Sequence, residues 1–126
     1  IIVNGDPQRL RQLFMIIVDN AVKYTRPGGT IEVNLERDET HARVIVADNG
    51  IGIPEKDLPH VFQRFYRVKR RRQDQVESGT GLGLPIAKWI AESHDGTASI
   101  VSVVDRGTTV TVGLPLYGVQ TPSADG

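Results

Sequence analysis

The period of the hydrophobic residues changes along the chain, and the order of these changes restricts the fold more than any other feature. Residues 7–23 carry apolar side chains at three- and four-residue spacing, which predicts an amphipathic helix. Asp6 suits the N-cap of this helix, and Pro7 suits its first position. The same period predicts a second long helix over residues 83–93, and a short helix is predicted over residues 55–61.

Segments with alternating apolar and polar residues, which predict strands, occur in two pairs. Residues 30–37 and 43–47 form one predicted hairpin, and residues 97–103 and 108–114 form another. Strands grouped in hairpins with helices between them predict an α+β fold. We expect a two-layer α/β sandwich, in which helices cover one face of a mixed, mostly antiparallel sheet.

Length and charge limit the possible partners. The chain has 126 residues, which suits one domain, predicted at residues 1–116 and followed by a flexible tail at 117–126. Its 15 basic and 15 acidic residues cancel, which gives no case for nucleic acid binding or for membrane contact by this domain. We expect the isolated domain to be a monomer.

The absence of cysteine excludes disulfides, thiolate metal sites and cysteine nucleophiles. No apolar stretch approaches the ~20 residues that cross a bilayer. These features favour a cytoplasmic location. The strand-like start at residues 1–3 predicts a fragment of a longer protein, whose upstream part could carry a membrane segment.

The loop D-N-G-I-G-I-P at residues 48–54 follows a predicted strand. Its glycines allow the backbone to approach a ligand closely. Asp48 emerges from an apolar strand, so its carboxylate could accept a hydrogen bond from an exocyclic amine such as that of adenine. The alternative is a plain turn, of which Asp-Asn-Gly is equally typical.

Three glycines at alternate positions, Gly79, Gly81 and Gly83, directly precede the second long helix. Free backbone N–H groups and the helix dipole favour phosphate at such a place. Because each glycine costs chain entropy, three of them favour a ligand-binding loop over a merely structural one.

Three side chains near the end of the first helix, Asn20, Lys23 and Tyr24, could serve the same ligand. A neutral oxygen such as that of Asn20 suits Mg²⁺, which takes phosphate oxygens and water for most of its shell. Lys23, three residues further along the same face, can meet phosphate charge. The alternative is a solvated helix end with a buried aromatic residue.

In this order and spacing, the segments closely resemble the ATPase domain shared by the gyrase, heat-shock chaperone, histidine kinase and mismatch-repair families, over roughly residues 3–116. The nucleotide signatures are D-x-G-x-G at residues 48–52 and G-T-G-L-G-L at 79–84. D-N-A-V-K-Y at 19–24 and F-Q-R-F-Y-R at 62–67 resemble the N and F boxes of sensor histidine kinases, and G-T-T at 107–109 resembles the last glycine box.

The resemblance implies ATP and Mg²⁺ as ligands and assigns residues to them. Asp48 would hold the adenine amine, and Asn20 would hold the Mg²⁺ that bridges the phosphates. Lys23 would contact phosphate, and Tyr24 would lie near the base. The catalytic residues would be Asn20 and Lys23, and the nucleotide-binding residues would be Asn20, Lys23, Tyr24, Asp48, Gly50, Gly52, Ile53, Gly79, Thr80, Gly81, Leu82, Gly83, Leu84 and Thr109.

A mobile ATP lid over residues 66–80 is also implied, with the three alternate glycines as its phosphate-side hinge. The basic run at residues 69–72 would lie in this lid, where it could meet phosphate or a partner domain, or form a solvated loop. Phe62 and Phe65 are expected to anchor the lid as core or hinge residues.

One position departs from the pattern. Four residues before the magnesium asparagine, histidine kinases normally have another asparagine and gyrase-type ATPases have a glutamate, whereas this chain has Ile16. The spacing keeps Ile16 on the face of Asn20, so its side chain should point into the site. Asp19 cannot replace it, because neighbouring helical residues point about 100° apart. Either phosphoryl transfer is impaired while nucleotide binding is retained, or the remaining ligands suffice for slow transfer.

The resemblance implies that the chain is the catalytic domain of a two-component sensor histidine kinase. It would transfer the γ-phosphoryl group of ATP to a histidine on a separate dimerisation domain, from which the group passes to a response-regulator receiver domain. His41, His60 and His94 are expected in surface or capping roles. The main alternative is a nucleotide-binding pseudokinase that serves as an interaction module. An ATP-hydrolysing clamp or a serine kinase that antagonises a sigma factor fits the F box less well.

Overall fold

Helix α1, Pro7–Tyr24, begins at the predicted cap. A computed structural model describes residues 2–68 and 83–118. In it, Asp6 Oδ1 accepts hydrogen bonds from the backbone N of Gln8 at 3.0 Å and of Arg9 at 3.3 Å. This contact satisfies two of the backbone donors that a helix leaves free at its start, so the predicted N-cap is confirmed.

The remaining elements follow the predicted order closely. They are β1 (Ile31–Arg37), β2 (His41–Asp48), the 3₁₀ helix Glu55–His60, α2 (Gly83–Ser93), β3 (Thr97–Val103) and β4 (Gly107–Pro115). No helix within the described ranges has both the length and the apolar content to cross a bilayer.

The four strands form one sheet in the order β1-β2-β4-β3. All three neighbouring pairs are antiparallel, and Val3 adds an isolated antiparallel bridge to Leu116. The α+β class and the helix-covered sheet are therefore confirmed. The prediction allowed some parallel pairing, but every pair among the described residues is antiparallel.

Both long helices pack on the same face of the sheet and against each other. The side chains that fill the space between them recur with the helical period in α1 and α2 and at alternate positions in β2 and β4. This core consists of Leu13, Ile17, Ala21, Val46, Ala87, Ile90, Ala91, Val110, Val112 and Leu114.

Strand β1 extends beyond the helix layer. Val33 and Leu35 pair with Val46 and Val44, so they lie on the helix-facing side of the sheet. They are nevertheless 57% and 60% exposed, because α1 packs over β2 and not over the edge strand. Only Ile31, near the loop at the end of the sheet, is partly buried.

His94 joins the start of α1 to the end of α2. Its Nε2 lies 3.0 Å from the backbone N of Asp6, and its Nδ1 lies 2.8 Å from the carbonyl oxygen of Ile90. A Cβ atom at Gly5 would lie 2.5 Å from the His94 ring, so the approach requires a glycine. The expected capping role of His94 is confirmed.

Several predictions concern segments outside the described residues. These are residues 69–80 of the lid with the basic run 69–72, the glycine-loop residues Gly79, Thr80, Gly81 and Leu82, and residues 119–126 of the tail.

Candidate functional site

Asp48 is the last residue of β2, and its carboxylate is oriented by two backbone donors. It pairs with Ile31 and Thr108, on the side of the sheet that also carries Val46 and the helices. Its Oδ1 accepts from the N of Gly50 at 2.9 Å and from the N of Thr108 at 3.3 Å. Within the described part of the chain, no group donates to Oδ2, so this oxygen remains an acceptor for a ligand.

The loop after Asp48 fits closely against its neighbours because of its glycines. A Cβ atom at Gly50 would lie 2.0 Å from the carbonyl oxygen of Tyr24, which also accepts from the N of Ile51 at 3.1 Å. Gly52 has a φ of 72°, and its Cβ would lie 2.2 Å from the carbonyl oxygen of Val103. The loop is thus fixed between the end of α1 and the β3–β4 turn, and Ile53 is buried behind it.

A hydroxyl pair beside Asp48 was not predicted. The Oγ of Ser102 lies 2.8 Å from the N of Ile53, 2.9 Å from the carbonyl oxygen of Gly107 and 2.8 Å from the Oγ1 of Thr108. Through these contacts the end of β3 connects the loop of Asp48 to the start of β4.

The structure brings Thr108, and not Thr109, to Asp48. Thr109 pairs with Ala47 and with Val101, which is 65% exposed, so it belongs to the opposite face of the sheet. Thr109 therefore does not lie on the same side of the sheet as Asp48, with which it was predicted to bind nucleotide. The sequence contains a signal for the threonine on the side of Asp48: counting back by two from the buried Val112 and Val110 reaches Thr108.

Ile16 and Asn20 lie on the side of α1 that faces the start of α2. A Cβ atom at Gly83 would lie 3.4 Å from Cγ2 of Ile16, which also packs against the core. Asn20 is half-buried one turn further along, and its amide makes no hydrogen bond to any described residue. Ile16 thus lies beside the start of α2, and its position within a nucleotide site stays a prediction.

The other predicted residues of the helix ends are placed as follows. The Nζ of Lys23 lies 3.1 Å from Oδ2 of Asp19 in a largely exposed ion pair, one turn along the helix. Tyr24 is half-buried and contributes its carbonyl to the loop after Asp48. Gly83 and Leu84 form the first turn of α2 and are both half-buried.

The F-box region carries a buried carboxylate. Asp57 is 5% exposed and accepts a hydrogen bond from the hydroxyl of Tyr66, whose ring lies 5.3 Å from that of His60. The hydrogen bond to Asp57, and then burial, raise the pKa of Tyr66. Among the described residues, the Oδ2 of Asp57 has no hydrogen-bond partner.

The two F-box phenylalanines differ. The ring of Phe62 is half-buried, with the Nζ of Lys88 5.1 Å from its centroid. This contact with α2 agrees with the expected anchoring role. Phe65 has a φ of 64° and is 68% exposed, so the expectation of a core anchor is wrong for Phe65.

Comparison with known proteins agrees with this fold. A family model described as histidine kinase-, DNA gyrase B-, and HSP90-like ATPase matches residues 5–118. The chain is 38% identical over 115 residues to the sensor histidine kinase RppB of Synechocystis, covering 91% of this chain and 25% of that protein. It is 41% identical over 115 residues to the sensor histidine kinase WalK of Bacillus subtilis, covering 90% of this chain and 19% of that protein.

Solved structures give the same likeness. The mycobacterial sensor histidine kinase MprB superposes with a TM-score of 0.80 at 33% identity, over 90% of this chain and 76% of that chain. The catalytic domain of histidine kinase ThkA superposes with a TM-score of 0.75 at 30% identity, over 90% and 71%. The chain therefore belongs to the family of histidine kinase-, DNA gyrase B- and HSP90-like ATPases. Within this family it is of the sensor histidine kinase type, as an ATP-binding catalytic domain.

Proposed function

We propose that this chain transfers the γ-phosphoryl group of ATP to a histidine on a separate dimerisation domain of the same protein. From there the group would pass to the receiver domain of a response regulator, in a cytoplasmic two-component pathway. The observation that carries the proposal is Asp48: its Oδ1 is held by two backbone donors while Oδ2 stays open to a ligand.

At the base end of the site, Asp48 would accept a hydrogen bond from the exocyclic amine of adenine. The carboxylate is already oriented by Gly50 and Thr108, so little ordering is needed on binding. Gly50 and Gly52 bring their backbone close to the site because neither carries a Cβ atom that would clash. Tyr24, beside this loop, and Ile53, within it, would flank the base.

At the phosphate end, the start of α2 would receive negative charge at Gly83 and Leu84. The sequence places Gly79, Thr80, Gly81 and Leu82 directly before that helix. Lys23 would turn from Asp19 to phosphate, a change that costs little because the ion pair is largely exposed.

The described residues fit a Mg²⁺ held mainly by ATP itself. Asn20 offers a half-buried amide oxygen that no described residue engages. No cluster of three or more histidine, aspartate or glutamate side chains among the described residues could hold a metal alone. Bound Mg²⁺ would draw charge from the phosphate oxygens. Asn20 would orient it, since Mg²⁺ is typically bound through few protein oxygens and the phosphates.

Ile16 favours a second candidate, a pseudokinase that binds nucleotide without transferring phosphate. Its side chain packs against the core and faces Gly83, so the substitution is accommodated in the fold. It supplies no polar atom to the phosphate end. Binding is then retained through Asp48 and the glycines, while positioning of the γ-phosphoryl group is impaired.

Two measurements test the proposal. Calorimetric titration of a non-hydrolysable ATP analogue, with and without Mg²⁺, into the native chain and into Ile16→Asn should give binding in both. Transfer from γ-labelled ATP to the separately expressed dimerisation domain of the parent protein should then label a histidine. Binding without label on the native chain, and label with Ile16→Asn, would establish the pseudokinase instead. Absence of binding to the native chain would refute both functions.

A further inference from the structure

The hydroxyl of Ser102 lies where three segments of the base end meet. It contacts the backbone N of Ile53, the carbonyl oxygen of Gly107 and the hydroxyl of Thr108, at 2.8, 2.9 and 2.8 Å. The side chain is partly buried between β3 and β4. Its hydrogen bonds are therefore made chiefly with the protein.

Only one arrangement of protons satisfies all three contacts. A serine hydroxyl has one proton to donate and two lone pairs that accept. The N–H of Ile53 can only donate to it, and the carbonyl oxygen of Gly107 can only accept from it. The proton of Ser102 is thus committed to Gly107, and the remaining lone pair of Ser102 receives the proton of Thr108.

This arrangement leaves the Thr108 hydroxyl with acceptor capacity alone. Thr108 lies opposite Asp48 in the sheet register and donates its backbone N–H to Asp48 Oδ1. Asp48 Oδ2 is likewise an acceptor, with no donor among the described residues. The base end therefore presents two neighbouring acceptors and no side-chain donor from this pair.

We propose that Ser102 is a specificity-determining residue: it fixes Thr108 as an acceptor, so that the site selects a 6-aminopurine over a 6-oxopurine. An exocyclic amine can donate protons to both acceptors, whereas a 6-carbonyl oxygen has only lone pairs to place against them. This inference rests on the proposed binding of ATP. It goes beyond it by assigning base discrimination to a residue that does not itself need to touch the base.

The test compares β,γ-imido analogues of ATP and ITP, whose bases differ at position 6 in the required way. Calorimetry on the native chain should show a preference for the adenine nucleotide of at least ~100-fold, because an unpaired buried polar group is strongly disfavoured. Ser102→Ala releases the proton of Thr108, which can then donate to the 6-carbonyl. The preference should fall by about tenfold. The conservative variant Ser102→Thr keeps the hydroxyl and should retain the native preference.

Thr108→Val gives a second and independent readout. Loss of the hydroxyl removes an acceptor for the adenine amine and removes the lone-pair repulsion against the 6-carbonyl oxygen. This variant should therefore also lower the preference for the adenine analogue. In the double variant, Ser102→Ala should have no further effect on the preference, since no hydroxyl remains to be reoriented. A purely structural role for Ser102 would not produce this dependence on Thr108.

The outcomes separate this inference from the proposed function. Equal weakening of both analogues by Ser102→Ala, a preference raised by Thr108→Val, or a native chain that binds both analogues alike would each overturn the role of Ser102 alone. Failure of the native chain to bind either analogue would overturn the proposed function with it. If Ser102→Ala does not fold, as judged by its thermal unfolding, Thr108→Val decides. A lowered preference for the adenine analogue supports the proposal, and a raised preference overturns it.

Discussion

The base end and the phosphate end of the site are organised in different ways. At the proposed base end, Asp48 and Ser102 are held by hydrogen bonds to backbone groups of two segments, the loop after β2 and the start of β4. At the phosphate end, Ile16 contributes only packing, and the amide of Asn20 makes no hydrogen bond to a described residue. The residues proposed to bind the base are thus held in place by hydrogen bonds within the protein. Among the described residues of the proposed phosphate end, Ile16 and the amide of Asn20 have no such hydrogen bonds.

The largest expected effect comes from a substitution at Gly50, in the loop after Asp48. In Gly50→Ala the new Cβ would overlap the carbonyl oxygen of Tyr24 at 2.0 Å, and neither backbone can move without disturbing the loop of Asp48. We expect a loss of about 3 kcal/mol in the free energy of unfolding, together with loss of nucleotide binding. Urea unfolding measures the first and calorimetry the second.

Gly28→Ala is the matched control for that change. Gly28 has a φ of 85°, but a Cβ there would meet nothing within 4 Å. Its cost should be limited to backbone strain, about 1 kcal/mol, with nucleotide affinity unchanged. An equal cost at both positions would show that close packing against Tyr24 does not hold the loop.

Asp48→Asn tests the proposed base end without disturbing the fold. An asparagine oxygen can still accept from Gly50 and Thr108, but the adjoining NH₂ then points a donor at the base amine. Affinity for the ATP analogue should fall roughly 1,000-fold. Asp95→Asn, at the distant end of α2, should leave the affinity within error. Retention of native affinity by Asp48→Asn would exclude Asp48 as the group that binds the base.

Ile16→Asn tests the phosphate end. The asparagine would add a polar group one turn before Asn20 and beside Gly83. If positioning is what the native chain lacks, the transfer rate should rise ~100-fold, while analogue affinity changes little. Ile16→Val, which keeps the apolar character, should leave the rate as it is. A large change in analogue affinity with an unchanged transfer rate would show that position 16 affects nucleotide binding and not phosphoryl transfer.

The smallest effect is expected at the F box, where the pKa of Tyr66 is raised first by its hydrogen bond to Asp57 and then by burial. A raised pKa means that the stabilisation is complete below the unfolded value of about 10. It is lost as the pH rises through the higher folded value. Tyr66→Phe should therefore unfold at a lower urea concentration at pH 7 and lack this alkaline decline.

Tyr117→Phe makes the same change at a side chain that is 64% exposed, so its urea midpoint should match the native one from pH 7 to the alkaline limb. If the urea midpoints of the native chain and of Tyr66→Phe change in parallel as the pH rises through the alkaline range, the hydrogen bond to Asp57 does not contribute to stability.

Local patterns predicted the elements well, because their causes are local. Helix α2 has the predicted bounds, Gly83–Ser93, and α1 ends at Tyr24, one residue after the predicted end. Exposure of Val33 and Leu35 was not predictable in the same way. Their alternation correctly placed them on one face of β1, but the extent of the helix layer above that face depends on how α1 packs on β2.

Motifs in the sequence predicted the residues of the site, but they did not predict which other residues lie next to them in the folded chain. The resemblance to the last glycine box assigned Thr109 to the nucleotide, whereas the register of β4 places Thr108 opposite Asp48. Ser102 was missed because a serine near the end of a strand has no distinctive pattern until β3 and β4 are paired. The sequence order of Asp19 and Lys23 permits their ion pair, but it equally permits a lysine directed at phosphate.

The junction between Asp6 and His94 has a spectroscopic consequence. The carbonyl of Ile90 can only accept and the N–H of Asp6 can only donate, so the imidazole must carry its single proton on Nδ1 and leave Nε2 bare. The ¹⁵N chemical shifts of this ring, measured on ¹⁵N-labelled protein, therefore report on the junction. Any event that separates the start of α1 from the end of α2, whether in this domain alone or within its parent protein, should change the tautomer and become visible at His94.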